Sequence, residues 1–98
     1  MTAINLSTKL LLIERLAVDE RQASYSARCH AGVLHVGDRL RWAMDPDGNR
    51  KDVDLLCTEI RLNERLMVSE LHANHGGLIL LEGKDAGTLG SDWTLCGE

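Results

Sequence analysis

The chain has 98 residues, 44% of them apolar and 27% charged, and its 11 basic and 15 acidic side chains give a formal net charge of −4. That length is one domain, residues 1–98, with a single core burying roughly two thirds of the unfolded surface. Basic and acidic residues alternate, as in Asp19-Glu20-Arg21 and Asn49-Arg50-Lys51-Asp52; this excludes a dominant phosphate-binding face and leaves only a local cationic patch open.

Residues 1–8 read as a polar, frayed start. No basic segment with a long apolar core opens the chain, so a signal peptide is not expected. Leu10–Ile13 supplies only four apolar residues before Glu14 and Arg15, far short of the roughly 20 a membrane helix needs. In Lys9–Val18 neither phase of alternation is clean, and strand and helix both fit. Asp19-Glu20-Arg21-Gln22 is a polar turn. Tyr25, Ala27, Cys29 and Ala31 then alternate with Ser24, Ser26, Arg28 and His30, the clearest strand signal in the chain. It places Cys29 on the apolar face and Arg28 and His30 outside.

Gly32 and Gly37 bracket Val33, Leu34 and Val36, and mark bends between strands. Leu40, Trp42 and Met44 alternate with Arg39, Arg41 and Ala43. Asp45-Pro46-Asp47-Gly48-Asn49 has strong turn chemistry. In the returning strand Leu56, Thr58, Ile60 and Leu62 share one face and Cys57, Glu59 and Arg61 the other. Helical spacing of Val53, Leu56, Cys57, Ile60, Met67, Val68 and Leu71 competes with that reading. Asn63-Glu64-Arg65 turns the chain, and Met67–Leu71 is a short strand or loop. Residues 72–77 form a loop, and Leu78-Ile79-Leu80-Leu81, apolar in both phases, is a central strand covered on both sides. Gly83–Gly87 turns again and Leu89–Cys96 closes the structure. Six to seven short strands at regular spacing predict an all-β fold, a small closed or nearly closed antiparallel barrel. Closure removes sheet edges that would otherwise aggregate.

Candidate chemistry is sparse. His72-x-x-His75 and the adjacent Cys29-His30 are the clusters to weigh for metal, but zinc sites pair ligands twice, and neighbours on a strand face opposite ways. No metal or cofactor is implied, and Cys29, Cys57 and Cys96 read as small core residues. Their odd number and the lack of a C-x-x-C pair indicate reduced thiols in a cytoplasmic protein. Asp45 with Asp47 and Asp52 with Asp54 are turn and surface carboxylates. No local signature activates a nucleophile, and no phosphate-binding glycine loop occurs. Tyr25, Trp42 and Trp93 are the sole aromatics and read as core or rim packing.

Gly32-Val33-Leu34-His35-Val36-Gly37-Asp38-Arg39-Leu40 resembles the glycine-bracketed connection in the second domain of translational GTPases such as elongation factor Tu. Leu12-Ile13-Glu14 is similar to that domain's opening strand, Ala73–Gly83 to its A-G-x-N-V-G segment, and Leu89-Gly90-Ser91-Asp92-Trp93 to its closing strand. The pieces are collinear over residues 8–97. The resemblance implies strands at 9–18, a translation-protein-like barrel standing without the GTP-binding domain, and contact with transfer or ribosomal RNA. The sequence departs from the family where that contact is made. His75-Gly76 stands for a glutamate-asparagine pair, Glu82 for an arginine, and Asp19–Gln22 for a glycine-rich turn. A changed site does not transmit function with the fold.

The function expected is therefore a non-enzymatic interaction module that binds a protein partner or itself. Arg28, His30, Arg39, Arg41, His72 and His75 are its candidate binding residues. The alternatives are an RNA-binding accessory domain, with a basic patch of Arg28, Arg39, Arg41 and Arg61, and a small metal- or thiol-dependent protein.

Overall fold

A computed structural model describes residues 8–97. Its strands are β1 (Lys9–Val18), β2 (Gln22–Ala31), β3 (Val33–His35), β4 (Arg39–Met44), β5 (Arg50–Arg61), β6 (Met67–Val68), β7 (Glu70–His72), β8 (Gly76–Glu82) and β9 (Thr94–Gly97). Among the described residues there is no helix, so none is long and apolar enough to cross a membrane. The helical readings of 9–18 and 53–71 give way to strands.

The main sheet runs β4-β9-β1-β2-β8-β5-β6, and β4 also pairs with β5, so six antiparallel strands close into a barrel that β6 extends. β3 and β7 form a separate two-stranded ribbon. Leu10, Leu12, Tyr25, Leu34, Leu40, Leu55, Ile60, Leu71, Ile79, Leu81, Leu89 and Leu95 are fully buried and fill the interior. Gly32 and Gly37 both take positive φ, +70° and +98°, which makes the two bends around β3. Asp38 fixes the second by accepting the His35 amide at 2.8 Å. In the β4–β5 hairpin, Gly48 sits at φ +88° while the Asp45 carboxylate accepts the Asp47 and Asn49 amides.

Alternation fails where one-residue bulges interrupt the ladders. Leu40 pairs with Gly97 and Trp42 with Cys96, leaving Arg41 unmatched. The phase of β4 flips there: Leu40 and Ala43 face the core, while Trp42 and Met44, expected beside Leu40, are half-buried outside. Cys57 pairs with Leu81 and Glu59 with Leu80, leaving Thr58 unmatched. Val53, Leu55, Cys57 and Ile60 therefore point inward, Leu56 and Thr58 are half-buried, and Leu62 is exposed. The expected sharing of one face by Leu56, Thr58, Ile60 and Leu62 is corrected on that ground.

β8 is central, between β2 and β5, with Ile79 and Leu81 buried and Leu78 and Leu80 half-buried. Of the polar start at 1–8, residues 1–7 lie outside the described residues, and Thr8 is buried with its hydroxyl on the Val33 carbonyl at 3.1 Å. Cys29 and Cys57 belong to the core, whereas Cys96, also buried, lies outside the core cluster on the outer side of β9.

Candidate functional site

Residues directly opposite each other in an antiparallel ladder share a face, so register alone lays out the outer surface. One row crosses the sheet as Asp52, Trp42, Cys96, Lys9. The next runs Arg50, Met44, Thr94, Leu11, Arg28. Between Lys9, opposite Ala31, and Leu10, opposite Cys29, His30 is the extra residue of a bulge in β2. It is re-aimed toward the first row and, with Lys9, Trp42, Met44, Thr94 and Cys96, lines a cavity of about 250 Å³.

The electrostatics of this face are cationic. Lys9, Arg28, His30 and Arg50 are exposed around half-buried Trp42 and Met44. The Arg50 guanidinium lies 4.5 Å from the Trp42 ring centroid, a cation–π contact. The carboxylate of Asp52 is 3.7 Å from the guanidinium and well exposed. Burial pushes the Cys96 thiol up, while the charges of Lys9 and Arg50 pull the other way.

The other sequence-predicted residues fall elsewhere on the barrel. Arg39 and Arg41 line a neighbouring cavity of about 190 Å³ with Thr8, Asp38, Leu40 and Gly97, toward the other end of β4. Arg39 also forms an ion pair with Asp54 at 2.9 Å. His72, on the β3–β7 ribbon, approaches Glu70 at 3.0 Å; Glu70 in turn lies 3.6 Å from His35, which is 3.5 Å from Asp38. Pairs this exposed contribute little to stability. His75 is exposed in the loop before β8, and its carbonyl accepts the Cys29 amide at 2.9 Å. Arg61, counted in the RNA patch, is held by Glu59 at 2.7 Å on the far part of β5.

The structure thus brings Arg28 and His30 together, sets Arg39 and Arg41 beside them, and leaves His72 and His75 elsewhere. Lys9, Trp42, Met44, Arg50 and Thr94 join the site without having been singled out for it. The signal for Trp42 and Arg50 was the Asp45–Asn49 hairpin, which pairs β4 with β5. Among the described residues no group of three or more His, Cys, Asp or Glu side chains is arranged to hold a metal ion. Burial raises the Cys29 thiol and pushes Cys57 up to about 11, opposite to what a nucleophile at neutral pH requires.

No protein-family model matches the chain, and no curated protein matches it. Among solved structures, the chain is similar to translation elongation factor SelB from Methanococcus maripaludis in its apo form, with a TM-score of 0.72 and 17% sequence identity over 94% of this chain. The chain spans 19% of that factor's length. The likeness establishes the fold: a translation-factor-type barrel, as the glycine-bracketed segment implied.

Proposed function

We propose that this chain is a non-enzymatic interaction module, a translation-factor-like barrel of the cytoplasm that binds a protein partner through the outer face of β4, β9, β1 and β2. The observation that carries the reading is the register that gathers Lys9, Arg28, His30 and Arg50 around Trp42 and Met44. Tryptophan, methionine and arginine are the residue types enriched where proteins meet, with an apolar centre and a charged rim. The buried thiols fit a reducing compartment.

RNA contact is the second reading, favoured by Arg39 and Arg41 in the adjoining cavity: with Lys9 and Arg28 they would neutralise phosphates and make binding steeply salt-dependent. Capture from native extract with the wild-type chain and a Lys9→Glu/Arg28→Glu variant, each with and without ribonuclease, tests both. A protein retained by wild type after ribonuclease and lost by the variant supports the proposal. Loss on ribonuclease moves the function to RNA, and identical partners for both chains refute the face.

A further inference from the structure

The cavity between Lys9, His30, Trp42, Met44, Thr94 and Cys96 measures about 250 Å³. That lies below the roughly 300–1,000 Å³ of cofactor and drug-sized sites, and has room for one large side chain. Its walls include the indole, the Met44 thioether and the Cys96 sulfur, with Cys96 only 1% exposed and so forming floor. Methionine and cysteine adapt to irregular apolar shapes. Around this apolar hollow stand the four basic groups and the exposed Asp52.

Two features decide the chemistry of the occupant. First, one side of the Trp42 ring is already covered by the Arg50 guanidinium at 4.5 Å. A nucleobase could stack only on the face that Arg50 leaves open, whereas an apolar side chain entering beside the indole needs no ring face. Arg50 at this position brings guanidinium N–H donors to the rim of the hollow, where carboxylates can accept them. Second, the chain's net charge is −4, so a long polyanion is repelled by the molecule as a whole while a short acidic stretch meets only the local cations. At physiological ionic strength charges more than about 8 Å apart are largely screened.

We propose that this cavity takes one large apolar side chain from an acidic peptide segment of the partner, with Asp or Glu residues beside the anchor held by Lys9, Arg28 and Arg50. The proposal rests on the protein-binding reading above and gives that partner its chemistry. β4, β9 and β1 are each paired on both sides around the cavity, and β2 is paired with β1 there, so the segment docks by side chains across the sheet face and not by adding a strand between them.

The test uses labelled synthetic peptides of Asp and Glu with a single central Leu or Phe. The same peptides with central Ala, a Lys-rich peptide with the same anchor, and an oligouridylate serve as comparisons. Fluorescence polarisation gives affinity and NMR shift mapping gives location. The anchored acidic peptides bind saturably and shift the Trp42 indole, Met44 methyl and Thr94 amide signals. Replacing the anchor by Ala, or using the Lys9→Gln/Arg50→Gln chain, weakens binding about tenfold or more. These two residues are exposed, and circular dichroism verifies that the variant stays folded. Equal affinity for anchored and Ala-centred peptides overturns the proposal. So do shifts confined to another face, or an oligouridylate that binds more tightly than every acidic peptide. If the peptides fail while extract capture still depends on Lys9 and Arg28, only the acidic-anchor inference falls. If both fail, the protein-binding face falls with it.

Discussion

Replacing Tyr25 by Phe isolates one oxygen atom on which the return path of the barrel depends. Tyr25 is fully buried on β2, and its hydroxyl donates to the Ala86 carbonyl at 2.6 Å, with the Leu89 carbonyl 3.4 Å away. Ala86 and Leu89 are themselves buried, 0% and 1% exposed, so the phenol tethers the segment between β8 and β9 from inside. Phe keeps the ring and leaves no significant cavity, so the transfer and packing terms nearly cancel. What remains is a lost hydrogen bond, about 0.5–1.5 kcal/mol net, together with a buried carbonyl stripped of that donor, about 1–3 kcal/mol. These overlap, and the expected loss is about 2 kcal/mol, which in a domain of this size lowers Tm by about 8–16 °C. Urea unfolding at neutral pH measures it, with an unchanged m-value expected because the same surface is exposed. Amide exchange at Ala86 and Thr88, which donate to Gly83 and Asp85 in the tethered segment, accelerates more than exchange at Ile79 in the central strand. A loss below about 0.5 kcal/mol, with exchange at Ala86 unchanged, would refute the tether. The hydroxyl's own titration adds a sign that can be checked. Burial raises its pKa above the ordinary 10.0, against the opposing Arg15 charge and Leu89 contact. The unfolded chain therefore ionises first, and the tether's contribution is complete below pH 10 and declines above it.

The buried thiols give a second prediction: iodoacetamide at pH 8 leaves Cys29, Cys57 and Cys96 unmodified in the native chain and modifies all three in urea. With Cys57 raised from 9.0 to about 11, the unfolded state loses that proton first, so stability falls between those pH values by at most about 1.4 kcal/mol per unit; constant stability across that window counts against the burial of this thiol. A third prediction concerns close backbone approach: a Cβ at Gly77 would meet the Arg61 carbonyl oxygen at 2.7 Å where β8 crosses β5. Gly77→Ala therefore forces the two strands apart and costs about 2 kcal/mol, whereas Gly76→Ala, whose nearest contact is 3.4 Å, costs less than half as much in the same denaturation assay.

The strands were legible in the sequence because β-branched and leucine-rich runs alternate with turn residues of known geometry. The Asp45–Asn49 hairpin, the bends at Gly32 and Gly37 and the inward Tyr25-Ala27-Cys29 series all emerge from local chemistry. Facing was legible only in strands without a bulge before the residue in question. A single unmatched residue flips every later side chain, and nothing in the identity of Arg41 or Thr58 announces that it will be the unmatched one. Bulging depends on how far each strand must coil to close the barrel, which the ladders decide together. β1 shows the limit of pattern reading: Ile13 and Leu16 are both skipped in its pairing with β2, which is why neither phase of that strand looked clean.

The same irregularities built the candidate site. Without the bulge at Arg41, Trp42 and Met44 would keep phase with Leu40 and point into the barrel, where the leucine core already fills the space. With it, they emerge on the outside in line with Thr94, Cys96, Lys9 and Leu11. The bulge at His30 adds an imidazole to the same hollow from the opposite strand. Two of the candidate binding residues read from strand alternation, His30 and Arg41, are thus positions at which the barrel breaks its own period. A sheet that needed only to close could place its bulges on any strand; here those at His30 and Arg41 flank one apolar hollow ringed by positive charge. That coincidence of two bulges with half-buried tryptophan and methionine and exposed cations is the physical ground for proposing a partner on this face and not on the ribbon that carries His35 and His72.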